Sequence, residues 1–403
     1  MNARTDREPQ AANPVATAPR DPVAAPGAPA RLLFLGKRFY TNKDALSERF
    51  GRIHHLPLEW SKRLPQVRSW LVDYHSREPR SVEEGALRID SAPALGWSCL
   101  RLLRAALRFR PEVVVASGDC YIGLLGWVLA RACGATFVFD IYDKYDDFGA
   151  YRTPPGFDLF GFLRRGADRC LFASRALAAS YAGEARRGPP DAAVPNGIDP
   201  AGFRPLPPER CRAELGLPAA ARIAGYFGGM EADRGVADLV AAVALLRAQG
   251  LDLRLLICGK RHPDTALDHD WIDYRGVVPH AQMPLYVNAC DVVAVPYRRT
   301  SFMDMGASCK VVEYLMCRRP VVSSRTPNFV GNFPRQAAEL ESCLFECGDV
   351  EGLARALRLQ LQAPVLASVP ADYNWERIAA AALDAVVDAH AARLVRSVGR
   401  VAV

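Results

Sequence analysis

The sequence predicts an α/β protein with two Rossmann-like domains, whose parallel sheets face a central cleft. Three observations support this fold class. Short apolar runs alternate with helical segments along the chain. The strand–helix–strand order occurs in both halves, on either side of a proline-rich stretch. A length of 403 residues also favours two domains with separate cores.

The first half contains short apolar runs of the kind that form buried parallel strands. They lie at residues 32–35, 113–116, 136–141 and 168–174. Residues 100–109 alternate leucine with arginine at helical spacing, which indicates a basic amphipathic helix that packs on the sheet or touches a membrane. Residues 121–132 predict a buried helix and 175–185 a further helix. The segment 37–95 gives no clear pattern.

The second half repeats the pattern. Apolar runs predict strands at 223–227, 253–258, 292–295 and 320–323. The segments between and after them predict helices at 236–249, 283–290, 310–316, 353–362 and 377–394. In such folds ligands bind at the carboxyl ends of the strands, so both domains should direct their functional loops into the cleft.

The boundaries follow from composition. Residues 1–30 are mostly alanine and proline, which predicts a disordered tail. We then expect a first, acceptor-binding domain over 31–195, a linker over 196–210 and a second, nucleotide-binding domain over 211–375. The remaining helical segment, 376–403, is expected to pack back on the first domain.

The charge and the cysteine content of the chain limit the kinds of ligand and partner that it is expected to bind. The net charge is +7, and residues 31–110 contain 16 Lys and Arg against 8 Asp and Glu. This basic region is either a solvated face or a surface for anionic lipid or an acidic substrate. The eleven cysteines include no Cys-x-x-Cys pair and the histidines show no zinc spacing, so we expect reduced thiols and no metal. No nucleic-acid partner is expected.

The hydropathy of the sequence favours a cytoplasmic location for the protein. No apolar run reaches the roughly 20 residues that span a bilayer. Prolines interrupt every apolar stretch in residues 1–30, which argues against a secretion signal. Peripheral contact with the inner face of the plasma membrane stays open as an addition to the cytoplasmic location.

A glycine-rich loop follows the predicted strand at 223–227. Gly228 and Gly229 allow backbone N–H groups to approach a phosphate, and Arg234 supplies a two-pronged cation. The spacing does not match a dinucleotide-binding fingerprint. The alternative is an ordinary glycine turn between a strand and a helix.

The segment 306–313 predicts a second anion site. Ser308 is a favourable N-cap residue, and Lys310 lies in the first helical turn beside the free N–H groups. Glu313 lies one turn further on the same face, where a carboxylate can accept both ribose hydroxyls. The alternative is a surface ion pair between Lys310 and Glu313.

The acidic segment 140–147 lies at the carboxyl end of a first-domain strand. An ionised Asp143 can accept a proton from an acceptor hydroxyl, and we expect Lys144 beside it to keep its pKa low. The alternative is a polar capping loop.

These segments together resemble the group 1 retaining glycosyltransferases, which have the GT-B architecture. The resemblance covers residues 112–380 and rests on the order and spacing of several motifs. They are Val-Pro-Asn-Gly-Ile-Asp at 194–199 with Phe203, Phe-Gly-Gly at 227–229 with Arg234, Cys-Asp-Val at 290–292 with Pro296, Glu-Tyr-Leu-Met at 313–316 with Pro-Val-Val at 320–322, and Tyr-Asn-Trp-Glu at 373–376. The acidic segment 140–147 is similar to a loop of one branch of these enzymes.

The resemblance implies transfer of a sugar, with retention, from a nucleotide-diphosphate sugar to a saccharide or lipid-linked acceptor. It places the protein in surface polysaccharide or glycolipid synthesis and implies no cofactor and no bound metal. Asp143 and Lys310 would be the catalytic residues. The implied donor-binding residues are Gly228, Gly229, Arg234, Lys260, Asp304, Ser308, Lys310 and Glu313. The implied acceptor-binding residues are Lys37, Asp146 and Asp147.

The sequence departs from the family pattern at three positions. Gly229 stands where many members have arginine, and Arg234 stands where lysine is usual. Met305 occupies the position of an acidic residue that contacts the sugar, so either Asp304 replaces it or backbone groups bind the sugar. Two other functions remain open: a nucleotide-sugar epimerase on the same fold, and a catalytically silent nucleotide-sugar-binding protein.

Overall fold

A computed structural model describes residues 27–40, 43–75, 78–147, 152–153, 156–183, 189–199 and 201–401. Most of the predicted tail, residues 1–26, therefore lies outside the described residues. The end of the helix predicted at 175–185 does so as well.

In its described residues, the first domain contains an eight-stranded sheet, two short antiparallel strand pairs and five α-helices. Its strands are β1 (Arg31–Lys37), β2 (Phe39–Tyr40), β3 (Lys43–Asp44), β4 (Gln66–Asp73), β5 (Arg80–Glu84), β6 (Leu87–Pro93), β7 (Val113–Ser117), β8 (Thr136–Ile141), β9 (Arg152–Thr153), β10 (Phe157–Asp158), β11 (Arg169–Phe172) and β12 (Ala192–Ala193). Its helices are α1 (Arg52–Ser61), α2 (Trp97–Phe109), α3 (Cys120–Cys133), α4 (Leu159–Gly166) and α5 (Arg175–Ser180).

The large sheet has the strand order β12-β11-β8-β7-β1-β4-β6-β5 and is parallel except for β5 at its edge. The parallel strands run 3-2-1-4-5-6-7 when numbered along the chain, which is the doubly wound arrangement. Every residue of β7 and β8 is buried, because helices cover both faces of a sheet of this kind. The order reverses between β1 and β7, so the loops after these two strands border the ligand-binding edge.

The second domain repeats this plan with six parallel strands. They are β13 (Arg222–Phe227), β14 (Leu253–Cys258), β15 (Ile272–Tyr274), β16 (Val292–Val295), β17 (Val321–Ser324) and β18 (Leu344–Phe345). The helices are α6 (Pro208–Leu215), α7 (Val236–Ala248), α8 (Met283–Ala289), α9 (Ser301–Met305), α10 (Cys309–Met316), α11 (Pro327–Val330), α12 (Pro334–Glu339) and α13 (Val350–Gln362). The order β15-β14-β13-β16-β17-β18 reverses between β13 and β16. The α/β fold class with two parallel sheets is thus confirmed.

A last helix, α14 (Trp375–Val401), packs on the first domain although it follows the second. Ala379, Ala382 and Val386 are fully buried in the first-domain core. The indole of Trp60 on α1 donates to the Ala379 carbonyl at 2.8 Å. The chain therefore crosses between the domains twice. The two crossings lie side by side, since Ile198 N–H donates to the Tyr373 carbonyl at 2.8 Å.

The segment 37–95, which the sequence did not resolve, forms an ordinary part of the first domain. It contains α1, β4 and the antiparallel pair β5–β6. Pro57 lies inside α1, and charged residues interrupt β5 and β6, so neither a helical nor a strand period is visible in the sequence. In the part of the chain that the structure describes, no helix is long and apolar enough to cross a membrane.

Candidate functional site

A cavity of about 1070 Å³ lies between the two domains. It is bounded by the loops at the strand-order reversals and by the start of α1. Six of the predicted site residues line it: Asp143, Gly228, Arg234, Ser308, Lys310 and Glu313. Six others do not: Lys37, Asp146, Asp147, Gly229, Lys260 and Asp304.

Gly228 makes room for the side chain of Lys310. Its backbone φ is +147°, and its N–H donates to the Cys258 carbonyl at 2.7 Å. A Cβ atom at this position would overlap the end of the Lys310 side chain. Only glycine meets both requirements, which is why the strand β13 ends here.

Lys310 on α10 is held by two tyrosines. Its Nζ donates to the Tyr297 hydroxyl at 3.1 Å and lies 5.4 Å from the ring centroids of both Tyr226 and Tyr297. Burial opposes its charge, but the two phenols raise the pKa of Lys310, so the amine stays protonated. None of the carboxylates in the described residues forms a salt bridge with it.

Ser308 is the N-cap residue of α10, as expected, but its side chain does not cap the helix. The hydroxyl is instead 3.0 Å from the Tyr297 hydroxyl. The first N–H groups of α10 therefore keep their capacity to bind an anion beside Lys310.

Arg234 is a second, mostly buried cation in the same cavity. Its Nε is buried and has no hydrogen-bond partner among the described residues, and the nearest carboxylates, of Glu231 and Asp233, are 3.7 Å away. Its guanidinium lies over the Tyr297 ring at 5.5 Å. Burial opposes ionisation of Tyr297, but Lys310 and Arg234 lower its pKa. Arg234 thus has only two loose ion pairs and Lys310 has none within the described residues, so the two neighbouring cations form a site for a multiply charged anion.

Glu313 lies one turn deeper on α10 and is 7% exposed. Its Oε1 is 2.8 Å from His280 Nε2, and the surface ion pair with Lys310, which was the alternative interpretation of this segment, does not form. The rings of Phe50 and Phe203 pack against His280 with centroids 5.4 and 5.2 Å away. Since Phe50 belongs to the first domain, both domains contribute to this end of the cavity.

Asp143 follows β8 and faces the second domain. Burial raises its pKa to about 7, while Arg52, Arg234 and Lys37 act in the opposite direction. The expectation that Lys144 keeps this pKa low is wrong. Lys144 turns away and binds Asp147 at 2.7 Å and Asp146 at 3.1 Å.

Asp146 and Asp147, which the sequence assigned to acceptor binding, instead form hydrogen bonds that fix their loop and join the two domains. Asp146 accepts the Tyr181 hydroxyl at 2.6 Å. Asp147 accepts the hydroxyl of Ser301, a residue of the second domain, at 2.5 Å. These bonds fix the loop that carries Asp143 but place neither carboxylate in the cavity.

Three other assigned residues also lie outside the cavity. Lys37 is 4.0 Å from Asp119 and lies over the ring of Tyr74. Lys260 is exposed, and its carbonyl accepts from the Met230 N–H. The Gly229 carbonyl accepts the Tyr226 hydroxyl at 2.6 Å.

Asp304 is not positioned to replace the missing sugar-binding acid. It is buried, and its Oδ2 binds Arg299 Nε at 2.6 Å. Its position within α9 directs it behind the cavity wall, against Arg299. Gly306 and Ala307 line the cavity next to Met305, together with Asn328, so backbone groups and the Asn328 amide are the polar groups available there.

Sequence reasoning missed a buried network behind Asp143. Arg52 and Asp140 are both fully buried and form a two-pronged ion pair at 2.9 and 2.5 Å. Arg52 also donates to the Val194 carbonyl at 2.9 Å, and Ser117 donates to Asp140 at 2.5 Å. The pair ties α1, the end of β8 and the domain crossing together. The signal was present in Asp140, an acid at the end of an apolar strand, but its partner lies 88 residues away.

Tyr297 and His280 were missed too. Tyr297 follows Pro296 at the carboxyl end of β16, which is where ligand-binding residues occur in this fold. That position was a usable signal. His280 lies in a short 3₁₀ turn after β15, and no local pattern connects it with Glu313.

Comparison with known proteins agrees with this geometry. Residues 221–362 match the family described as "Glycosyl transferases group 1". D-inositol 3-phosphate glycosyltransferase from Segniliparus rotundus is 30% identical over 159 residues, which cover 36% of this chain. The match spans about a third of that relative's length, 33%.

Solved structures match over nearly the whole chain. Sucrose-phosphate synthase from Thermosynechococcus elongatus superposes with a TM-score of 0.64 at 17% identity, covering 92% of this chain and 98% of the other. Anabaena HepE in complex with UDP gives 0.58 at 15% identity, covering 93% and 100%. The protein therefore has the fold of GT-B glycosyltransferases, and its second domain contains a segment that matches the group 1 family.

Proposed function

We propose that the protein is a glycosyltransferase that moves a sugar from a nucleotide-diphosphate sugar to a saccharide or lipid-linked acceptor. The observation that carries this proposal is the pair of mostly buried cations in the interdomain cavity: Lys310 forms no salt bridge within the described residues, and Arg234 reaches its nearest carboxylates only at 3.7 Å. Leaving such charges buried costs stability unless an anionic ligand occupies the site. The group 1 match and the HepE structure with UDP support a nucleotide as that ligand.

The nucleotide would lie along α10. Arg234, Lys310 and the first N–H groups of the helix would bind the diphosphate. Glu313, one turn away, would accept the ribose hydroxyls through the oxygen that His280 leaves free. Gly306 and Ala307, whose backbone borders the cavity, would face the sugar.

The transfer step needs a proton acceptor and a stabilised leaving group. We assign the first role to Asp143, whose raised pKa, about 7, makes it a competent base near neutral pH. The acceptor oxygen loses its proton to Asp143 and bonds to the anomeric carbon on the same face from which the diphosphate departs, while the bond from that carbon to the diphosphate breaks. Lys310 and Arg234 offset the negative charge that develops on the departing diphosphate.

We infer retention of the anomeric configuration and transfer without a metal. The motif resemblance supports retention, which proton NMR of the fresh product would test. Fixed cations and a helix N-terminus can supply the charge that a metal supplies elsewhere. Activity that survives EDTA would agree with this, and activity restored only by a divalent cation would contradict it.

The acceptor would enter from the first-domain side of the cavity. Phe50, Leu58 and Trp375 line that side, with His55 stacked on Trp375 at 4.7 Å between centroids. Apolar and aromatic surfaces of this kind bind the C–H faces of sugars or the first carbons of a lipid linker. We place the reaction in the synthesis of a surface polysaccharide or glycolipid, at the cytoplasmic side.

Thermal unfolding with a panel of UDP-, GDP-, ADP- and TDP-sugars tests the proposal. A true donor at 100 times its dissociation constant should add about 2.7 kcal/mol to stability. Arg234→Gln and Lys310→Gln should each abolish the shift. Arg247→Gln, which removes an arginine that pairs with Asp252 on the surface, should leave it unchanged. The absence of any nucleotide-dependent shift in the unchanged protein would refute the function.

A further inference from the structure

The outer face of α2 combines exposed apolar and basic side chains. Trp97 is 80% exposed, Leu100 46% and Leu107 39%. Three arginines are exposed on the same helix: Arg101, Arg104 and Arg108. At 3.6 residues per turn these six positions fall within an arc of about 120°. The opposite side of the helix, with Ala106 and Phe109 buried, packs on the domain.

The charge of this face is one-sided. No acidic residue occurs between Asp90 and Glu112, whereas four arginines do, the fourth being Arg110. Within the described part of the chain, none of the four takes part in a salt bridge. An ordinary solvated helix face mixes both signs of charge and seldom exposes tryptophan.

The apolar end of this face lies at the carboxyl end of β6. Leu95, 88% exposed, and Trp97 follow β6 directly. Because β6 is parallel to β4 and β4 to β1, the residues after β6 lie at the same sheet edge as Asp143 after β8. Tyr121, in the first turn of α3 after β7, is also exposed at this edge.

We propose that Leu95 and the outer face of α2 form a docking surface for a bilayer that contains anionic lipid. Trp97, Leu95, Leu100 and Leu107 would enter the headgroup boundary, and the arginines would bind lipid phosphates. Docking in this way would bring the carboxyl edge of the first sheet, which also carries the Asp143 loop, toward the membrane surface. Charge complementarity and the exposed tryptophan favour a membrane over a second protein copy, since four arginines on each face would repel each other across a symmetric interface.

The proposal is independent of the transferase activity, and vesicle flotation of the full chain tests it. The protein should float with phosphatidylcholine vesicles that contain phosphatidylglycerol and remain in solution with phosphatidylcholine alone. The triple variant Arg101→Gln/Arg104→Gln/Arg108→Gln should bind on the order of a hundredfold more weakly, at about fivefold for each surface charge. Leu95→Ala/Trp97→Ala should also lose binding, because insertion requires the apolar side chains.

Matched controls come from the second domain. Arg335→Gln/Arg355→Gln/Arg358→Gln removes the same charge from α12 and α13, and Val277→Ala/Leu366→Ala removes exposed apolar side chains. Both should bind vesicles as the unchanged protein does.

Tryptophan emission gives a second readout: it should shift to the blue on anionic vesicles, and Trp97→Phe should lack that shift. Failure of the unchanged protein to bind anionic vesicles would overturn the proposal, as would binding that needs the arginines but not Leu95 and Trp97. A dimer that the Leu95→Ala/Trp97→Ala variant dissociates, without vesicle binding, would assign the face to a second copy instead.

Discussion

His280 Nε2 lies 2.8 Å from Glu313 Oε1, so one oxygen of the buried carboxylate is already engaged before a nucleotide arrives. The other oxygen faces the cavity that the two domains share. The histidine therefore orients the carboxylate, and the rings of Phe50 and Phe203 restrict the histidine in turn.

Glu313→Ala should abolish donor binding, because it removes the acceptor of the ribose hydroxyls. His280→Ala should weaken binding about tenfold, as expected for the loss of one hydrogen bond to a charged group. Calorimetric titration with the donor measures both. His262→Ala, which alters an exposed histidine of the same domain, is the control. Tighter binding by His280→Ala would show that the histidine competes with the ribose instead of orienting Glu313.

Asp143→Asn should bind the donor normally but lose transfer by about 10²–10⁴-fold, the usual contribution of a general base. In the unchanged enzyme kcat/KM should rise with pH and level off above about 7, because the pKa of Asp143 is about 7 and only the ionised form accepts a proton. Initial rates across this pH range, with one substrate saturating and the other varied, give kcat/KM and measure the effect. A flat pH profile, or a variant that keeps full turnover, would remove Asp143 from the proposed step.

The same carboxylate affects stability in a predictable direction. The pKa of Asp143 is about 7 in the folded state against 3.8 as the ordinary value, so the folded protein binds the proton more tightly. Stability should therefore fall as the pH rises from about 4 to 7. Asp143→Asn removes this loss. The free energy of unfolding of the variant minus that of the unchanged protein should therefore increase by on the order of 2–4 kcal/mol between pH 4 and pH 8.

Asp147→Asn supplies the control of opposite sign. Burial raises the pKa of Asp147, but the bonds from Lys144 and Ser301 outweigh it and lower that pKa overall. Near neutral pH the variant should be less stable than the unchanged protein. This difference should shrink as the pH falls below about 4, because the unchanged protein then loses the stability that its ionised carboxylate provides. Urea unfolding at several pH values measures both variants. Identical pH trends in the two would contradict the assignment.

Gly228→Ala should abolish nucleotide binding, because the added methyl group would displace the Lys310 side chain. Gly216→Ala is a suitable control: its φ of +65° also strains an alanine, but no atom lies within 4 Å of the added carbon. Gly216→Ala should lose about 1–2 kcal/mol of stability to backbone strain, Gly228→Ala should lose at least as much, and only Gly228→Ala should lose binding. Equal nucleotide affinity in the two variants would remove the steric argument.

The sequence predicted the parts of the site that depend on local pattern. The apolar runs specified the parallel strands, and the carboxyl ends of those strands specified the cleft. Gly228, Arg234, Lys310 and Glu313 each follow a strand or begin a helix in a way that short motifs record. The structure brings all four to one cavity, together with Asp143.

The parts that escaped depend on contacts distant in sequence. Lys144 was placed beside Asp143 by adjacency, yet the turn at 145–147 presents two other carboxylates to its amine. Asp304 is adjacent to the expected acidic position, but its helix turns it toward Arg299. Two residues adjacent in sequence face the same side of the molecule only when the local backbone allows it. Loops have no regular period, so their sequence does not show which way each side chain faces.

The position of α14 has a consequence for synthesis of the chain. The core of the first domain includes Ala379, Val386 and Ala389 of that helix, which the ribosome makes only after the entire second domain. The second domain is contiguous and can close as soon as it emerges. The first domain begins earlier but is completed later. During translation the surface of the first domain that binds α14 therefore stays exposed until α14 has been made. Chaperone dependence and aggregation during expression should therefore arise from the half that is synthesised first.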